Sequence, residues 1–387
     1  MWNKLKIVKQ PKERPLLKKI LAMVFLTLAV LGLVALIIFW NDLHMDARLL
    51  RLKYWRAGGN DEYGSYHFDA HNSNCYTGFD DGLAVASVGG LSTYSEDGNV
   101  VFVSQSQLSL PQIKAAGKMV MTFDVGGNCL LAIHKNTGEV LRVDTEKAIM
   151  DADLSAGGDI CYLSSEGGHK SVLTVYNEKQ ELVYRWLSTS TYMPVCAISP
   201  KGNEMAVIGL DQKDGEFASM LNLFRTDADQ IVNTVHLGGD LIYDLMYQNE
   251  DTLCAIGESG VTYLTAEGEV LQTYSYEGKY LKDYDNGGNG FLALSLNTYR
   301  AGNRYSLVVL DETMEEPVSV YVGQEILDLS AAGKYIAVLT TKGLTVYDRN
   351  LVICSQTQNI GAATSVLMRP DGTALLLGGG TGQLYIP

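Results

Sequence analysis

The sequence predicts an all-β chain: a β-propeller of eight four-stranded blades, preceded by one N-terminal transmembrane helix. Three observations predict it. Residues 20–40, ILAMVFLTLAVLGLVALIIFW, run without a charge. After Gly58, short runs of Val, Ile, Leu, Tyr and Thr alternate with Gly, Asn, Asp and Ser, the chemistry of strands and tight turns. A unit of strand, polar turn and second apolar strand then recurs with a period of about forty residues, the repeat length of propeller blades.

The apolar run comes first in the chain. At about 1.5 Å per residue, a helix over residues 20–40 spans about 30 Å, the hydrocarbon thickness of a bilayer. Trp40 stands where an interfacial aromatic belongs. The run is too long for the core of a cleaved signal peptide, and no small-residue cleavage site follows it. Lys4, Lys6, Lys9, Lys12, Arg14, Lys18 and Lys19 precede it, whereas only Arg48, Arg51, Lys53 and Arg56 follow closely. That bias orients the N-terminus to the cytoplasm and the body to the outside. The expected organisation is a basic cytoplasmic arm (1–19), the transmembrane helix (20–40), a juxtamembrane linker (41–60) and an extracytoplasmic propeller (61–387).

Charge separates the arm from the body. Residues 1–56 carry eleven Lys/Arg and three Asp/Glu, a net of +8. The remainder holds nineteen Lys/Arg and forty-one Asp/Glu, a net of −22. An acidic body repels phosphates, which excludes nucleic acid as a partner. The six cysteines form no Cys-x-x-Cys, and most lie in apolar runs such as DICYLS and TLCAIG. There they read as small buried hydrophobes rather than as a disulfide framework or a zinc site.

The repeats follow in order. They are GFDDGLAVAS (78–87), IKAAGKMVMT (113–122), ADLSAGGDICYLS (152–164), AISPKGNEMAVI (197–208), LMYQNEDTLCAI (245–256), DYDNGGNGFLAL (283–294), DLSAAGKYIAVL (328–339) and LMRPDGTALLL (367–377). Eight units imply eight blades, with seven as the competing count if the first is incomplete. Second hairpins follow within units, as in CLLAIHKNTGEVLRV (129–143) and VTYLTAEGEVLQTY (261–274). Each unit therefore supplies strands A to D, joined by tight A–B and C–D turns. The last unit has no strand D after QLYI. The strand-like segment 63–70, YGSYHFDA, is expected to supply it and close the ring.

LPQIKAAG and TFDVGGN (110–117 and 122–128), VLTVYNEKQELVYRW (172–186) and AISPKGNEMAVIG (197–209), together with the apolar anchor, carry a family resemblance. The chain resembles an uncharacterised bacterial family of single-pass membrane-anchored β-propeller proteins, domain of unknown function 5711. That family falls within the WD-repeat-like and quinoprotein-like propellers. The Trp-Asp dipeptide of true WD repeats is missing. The resemblance implies an external propeller and transfers no catalytic residue.

Ala115-Ala116-Gly117-Lys118 and Ala331-Ala332-Gly333-Lys334 look like the end of a phosphate loop. That loop needs a further Gly five positions earlier, a Ser or Thr next, and a helix. Here Gln112 and Asp328 stand five positions earlier, Met119 and Tyr335 come next, and a strand follows, so both copies read as A–B turns. His67, Asp69 and His71 alternate as strand metal ligands would, but on an outermost strand they read as a solvated face. No Gly-x-Ser-x-Gly, His-Glu-x-x-His or calcium-loop pattern occurs, and no cofactor is implied.

B–C connections carry the remaining signal. They are about three residues long in blades 2, 5 and 7, but read SEGGHK (165–170), DQKDGEFAS (211–219) and NTYRAGNR (297–304) in blades 3, 4 and 6. Insertions on one face of a repeat array mark a binding face, against ordinary drift of surface loops. Asp211, Asp214, Glu216, Tyr299, Arg300 and Arg304 are the expected ligand contacts. The expected function is a membrane-anchored binding or scaffold module for an envelope protein, a peptide or a glycan. The alternatives are a hydrolase or lyase with its site in the central channel, or a surface sensor working through an inner partner.

Overall fold

The computed structural model describes residues 20, 23–27, 29–30, 50–52, 54, 64–213, 216–311 and 317–387. The chain divides into two compact units, Met1–Tyr54 and Trp55–Pro387. In the first, the described residues between 20 and 30 are helical, and Thr27 Oγ1 donates to the Met23 carbonyl at 2.9 Å. Among the described residues no helix is long and apolar enough to cross a membrane. Most of the span expected at 20–40, the arm 1–19 and most of the linker 41–60 lie outside the described residues.

The second unit is a ring of eight four-stranded antiparallel sheets. The closing strand β1 (Ser65–His67) comes first in the chain. Blade 1 holds β2 (Cys75–Phe79), β3 (Gly82–Ser87), β4 (Gly90–Tyr94) and β5 (Val100–Gln105). Blade 2 holds β6 (Pro111–Ala116), β7 (Met119–Asp124), β8 (Cys129–His134) and β9 (Gly138–Asp144). Blade 3 holds β10 (Ile149–Leu154), β11 (Ile160–Glu166), β12 (His169–Tyr176) and β13 (Leu182–Ser188). Blade 4 holds β14 (Tyr192–Ile198), β15 (Glu204–Lys213), β16 (Glu216–Arg225) and β17 (Asn233–His236). Blade 5 holds β18 (Ile242–Tyr247), β19 (Thr252–Gly257), β20 (Gly260–Thr265) and β21 (Val270–Ser275). Blade 6 holds β22 (Tyr280–Gly288), β23 (Phe291–Asn297), β24 (Tyr305–Asp311) and β25 (Val318–Val322). Blade 7 holds β26 (Ile326–Ala332), β27 (Tyr335–Thr340), β28 (Gly343–Asp348) and β29 (Ile353–Thr357). Blade 8 holds β30 (Ser365–Met368), β31 (Ala374–Gly378) and β32 (Thr381–Tyr385), completed by β1.

Eight blades is therefore the count, and the closing strand is where the sequence puts it. Ser65, Tyr66 and His67 pair antiparallel with Gln383, Gly382 and Thr381. Tyr66 is fully buried among Leu83, Val85, Tyr94, Leu375 and Leu377, which joins blade 8 to blade 1. The ring thus leaves no blade with an unfinished sheet.

The core is divided rather than central. Eight apolar clusters form, one at each junction between neighbouring blades. Second strands such as β7, β19, β23 and β27 are buried on both faces, which is why they read as continuous apolar runs. Outer strands such as β9 alternate between half-buried and exposed positions because one face meets water.

Both Ala-Ala-Gly-Lys copies are A–B turns. Gly117 and Gly333 adopt φ of 56° and 58°, the left-handed region that glycine enters without a Cβ penalty. A Cβ on Gly117 would sit 2.4 Å from the Ala156 carbonyl oxygen in the next blade's turn. The glycine is therefore required by the approach of blade 3 as well as by the reversal.

One B–C connection differs from the sequence expectation. Residues 211–219 are not a loop. β15 and β16 continue in register through Asp211↔Ala218 and Lys213↔Glu216, leaving only residues 214–215 between them. The hairpin extends beyond the blade core, where no apolar alternation is needed to hold the ladder.

Candidate functional site

The first strand of each blade lines the axis of the ring, and one edge of it has no strand partner. Its outward N–H groups need acceptors. Carboxylates supply them. A motif of Ile or Leu, any residue, then Asp occurs on four inner strands: Ile149-Met150-Asp151, Ile242-Tyr243-Asp244, Leu281-Lys282-Asp283 and Ile326-Leu327-Asp328. In each case the ladder shifts register between its first and third residues. Such bulges re-aim side chains.

Each aspartate accepts from the N–H that follows it, at 2.8 Å from Ala152, 2.9 Å from Leu245, 2.9 Å from Tyr284 and 3.0 Å from Leu329. The second oxygen reaches the next blade in three of them. Asp151 accepts from Cys196 N at 2.9 Å, Asp328 from Val366 N at 2.6 Å, and Asp244 from the Tyr284 hydroxyl at 2.7 Å. Deeper along the strands, Asp153 accepts from Ile198 N at 2.9 Å and Asp285 from Ala331 N at 3.0 Å. The inner strands are thereby stitched to one another by carboxylates.

These acids are crowded and poorly solvated. Burial pushes Asp151 up to about 6, against the pull of the Lys114 ammonium. Burial, then the neighbouring charges of Asp328 and Asp285, push Asp283 up to about 7. Burial also lifts Asp328 to about 6, although the Val366 and Leu329 N–H groups oppose it. Asp244 and Asp285 are raised for the same first reason.

One cation enters this acidic lining. Lys114 Nζ lies 3.1 Å from Asp153 Oδ1. Burial alone would depress its pKa, but Asp153, Asp151 and Asp244 outweigh it and hold the ammonium well above its ordinary value. Its side chain is enclosed by the ring yet keeps 32% of its surface open to the channel, so water screens part of this attraction. Chemically the channel offers an ammonium among three carboxylates and a phenol. Most carboxylate oxygens are already committed to N–H groups. Among the described residues no group of three His, Cys, Asp or Glu is arranged to hold a metal ion.

Sequence patterning alone does not single out these carboxylates. Their signal is the Ile/Leu-x-Asp that recurs at the head of four inner strands. The acceptor role depends on an N–H in the next blade, which no local pattern displays.

Of the residues that the sequence singles out, Asp211, Tyr299, Arg300 and Arg304 lie on the face of the B–C turns and D–A crossovers. Tyr299, Arg300 and Arg304 share the blade 6 loop 298–304, a true loop. Asn297 Nδ2 donates to the Gly302 carbonyl at 2.7 Å and Thr298 N to the Arg304 carbonyl at 3.1 Å, closing its neck. The Arg300 guanidinium lies 5.5 Å over the Tyr280 ring, and that of Arg304 5.9 Å over Tyr299. Asp211 is exposed on β15 and accepts from Gln212 N at 2.8 Å. Asp214 and the Glu216 side chain lie outside the described residues. Among the described residues no hydrogen bond or ion pair joins Asp211 to the blade 6 loop. His67, Asp69 and His71 do not share a strand, because β1 ends at His67. His71 Nδ1 instead meets Ser73 Oγ at 2.7 Å.

Two clefts open between blades on the opposite face. One, of about 280 Å³, lies under Phe79, Tyr94 and Phe102, with the Lys135–Asp80 pair (2.6 Å) at its rim. The other, of about 270 Å³, is lined by Leu223, Phe224, Val232 and Tyr247.

Comparison with known proteins places the fold. No curated protein matches the chain. Among solved structures, the C-terminal WD40 domain of Sif2 superposes with a TM-score of 0.59 at 12% identity, covering 83% of this chain and 97% of that one. Raptor of Chaetomium thermophilum gives a TM-score of 0.48 at 13% identity over 70% of this chain. The chain spans only 27% of Raptor's length. At 12% identity the likeness to the Sif2 domain is one of fold. Residues 60–354 match a family described as one of unknown function, DUF5711, and the match runs from the segment before β1 into blade 7. The chain belongs to that family, DUF5711.

Proposed function

We propose that the chain is a membrane-anchored extracytoplasmic propeller that works as a binding or scaffold module for an envelope protein, peptide or glycan. The observation that carries this is the state of the channel acids. Asp151, Asp244 and Asp328 each accept two hydrogen bonds from protein groups, which suits them to holding blades together rather than to proton transfer. The elaborated β15–β16 hairpin and the blade 6 loop share one face and suit a partner surface. The uncharged run at 20–40 and its flanking basic residues support the anchor and its orientation. Asp211, Asp214, Glu216, Tyr299, Arg300 and Arg304 are the proposed contacts.

The test is affinity purification of the full chain from native membranes, beside the Arg300→Ala/Arg304→Ala double variant. Loss of a reproducible partner in the variant supports the assignment; identical partner sets sink it. Labelling of the half-buried Cys354 by a membrane-impermeant maleimide in intact cells tests the orientation.

A channel hydrolase or lyase is favoured by one observation, the Lys114 ammonium held charged among Asp151, Asp153 and Asp244. Turnover of any glycan or peptide substrate that disappears in Lys114→Met, with the fold retained, would establish it.

A further inference from the structure

Exposed aromatic side chains are unevenly shared between the two faces of the ring. On the face of the B–C turns and D–A crossovers, Tyr192, Phe217, Leu241, Tyr243, Tyr280 and Tyr299 are exposed. They succeed one another over blades 4, 5 and 6. Among the described residues opposite, the exposed large hydrophobics are aliphatic: Val232 and Val352 in the turns, and first residues of outer strands such as Val100, Leu182 and Ile353. Gathered apolar exposure of this kind marks an interaction surface, whereas scattered single residues do not.

The crescent is built, not incidental. Phe217 stands near the tip of the β15–β16 hairpin at 64% exposure, and Tyr299 on the blade 6 loop at 52%. A Cβ on Gly239 would lie 3.9 Å from the Phe217 carbonyl, so the hairpin borders the crossover that carries Leu241. Tyr243 occupies the bulge between Ile242 and Asp244, and its ring lies 6.4 Å from that of Tyr284 at the channel mouth. Lys282 Nζ donates to the Arg300 carbonyl at 2.7 Å, fixing the blade 6 loop to β22.

We propose that this crescent docks an extended segment of a protein partner, with apolar side chains on Phe217, Tyr243 and Tyr299. The proposal rests on the binding-module function above and names its partner class. Phe217 and Leu241 offer no hydrogen bond to sugar hydroxyls. Arginines cover one face each of Tyr280 and Tyr299, reducing the open ring surface that a sugar would stack on. Exposed Tyr and Phe beside Arg are the residue types that dominate protein–protein contacts. Charge fixes the orientation. Asp211 is exposed on the blade 4 hairpin, whereas Arg300 and Arg304 lie on the blade 6 loop. The segment's basic residues therefore lie toward the blade 4 hairpin and its acidic end over the arginines.

The full chain in detergent micelles is immobilised and probed with a displayed library of random linear peptides. The strongest peptide is then titrated by fluorescence anisotropy. Enriched peptides are expected to share apolar residues next to Lys or Arg. Phe217→Ser/Tyr299→Ser is expected to weaken binding by about tenfold or more, with an unchanged melt because both side chains are exposed. Reversing the peptide's basic residue is expected to weaken binding to the parent protein as well. The proposal is overturned if no peptide is enriched, if enriched peptides bind the double variant equally, or if a glycan array binds instead and loses that binding in the variant. Peptide binding to purified protein is independent of where the chain sits in the cell. Failure here therefore differs from failure of the anchoring and pulldown tests.

Discussion

Replacing Tyr66 tests whether β1 holds the ring closed. Its ring is fully buried and sits edge-on to Tyr94, with centroids 6.0 Å apart. Its hydroxyl donates to the Glu96 carbonyl at 3.1 Å, in the C–D turn of blade 1. The same hydroxyl accepts from Arg369 Nη2 at 2.9 Å, in the A–B turn of blade 8. Tyr66→Phe removes both hydrogen bonds and keeps the ring, at a cost of about 1–3 kcal/mol. Tyr66→Ala also empties the cavity, and large aromatic deletions cost about 3–5 kcal/mol, giving a total near ~5 kcal/mol. An unfolding entropy of about 2.1 cal/mol/K per residue over roughly 320 residues converts that to a fall in Tm of ~7 °C. Thermal and urea melts of the full chain followed by circular dichroism give the readout. A Tyr66→Ala melt within about 1 °C of the parent would refute closure by this strand. Gly98→Ala is an independent check. A Cβ there would sit 2.1 Å from the Ser65 carbonyl oxygen, so the variant should destabilise the same junction.

Stability should also depend on pH through the channel acids. Asp151 and Asp328 lie at about 6 and Asp283 at about 7 in the folded ring, above the ~3.9 of an unfolded aspartate. The folded state holds more protons between those values. Its extra stability is complete below pH ~4 and is lost as pH rises through 6 to 7. The melting temperature should therefore rise as the buffer is taken from pH ~8 to ~5.5, and a flat profile would show that water relaxes these groups. The two Ala-Ala-Gly-Lys turns should respond unequally to Gly→Ala. Gly117→Ala meets the Ala156 carbonyl at 2.4 Å, whereas Gly333→Ala meets only Pro370 atoms at 3.3 Å or beyond. Chemical denaturation should show Gly333→Ala losing about 1 kcal/mol and Gly117→Ala clearly more. Cys161 and Cys196 are buried with sulfurs 3.7 Å apart, and burial raises the Cys196 thiol well above its ordinary pKa. Iodoacetamide should modify them only after denaturation, and rapid labelling of Cys161 or Cys196 in the native protein, read by peptide mass mapping, would contradict the buried junction.

The blade count was legible because every reversal at the rim of a blade needs turn chemistry. Gly117, Gly158, Gly202, Gly333 and Gly372 sit with positive φ in the A–B turns that set the period. The closing strand was legible for a related reason, since three strands after Ser365 require a fourth from elsewhere. The channel was not. Asp151 and Asp328 have partners in the next blade, at Cys196 and Val366, and a sequence pattern shows neither the ring nor the bulge that aims the carboxylates. The blade 4 hairpin reads as a loop in sequence because Asp211-Gln212-Lys213-Asp214-Gly215-Glu216 contains no apolar side chain. Polar letters mark a loop where a ladder must bury one face, and this ladder stands beyond the core.

The polarity of β1 has a mechanical consequence. It runs antiparallel to β32, so its first residue lies toward the C–D turns and its last toward the B–C turns. The contacts agree, with Ser65 against Gly98 in a C–D turn and Phe68 N donating to the Gly380 carbonyl in a B–C turn. The polypeptide ahead of Gly64 therefore joins the disc on the C–D side. A pull from that end is borne in shear by the three residues of β1 and by the Tyr66 hydroxyl. The face that bears Phe217, Tyr243 and Tyr299 lies on the opposite side of the ring from that entry point.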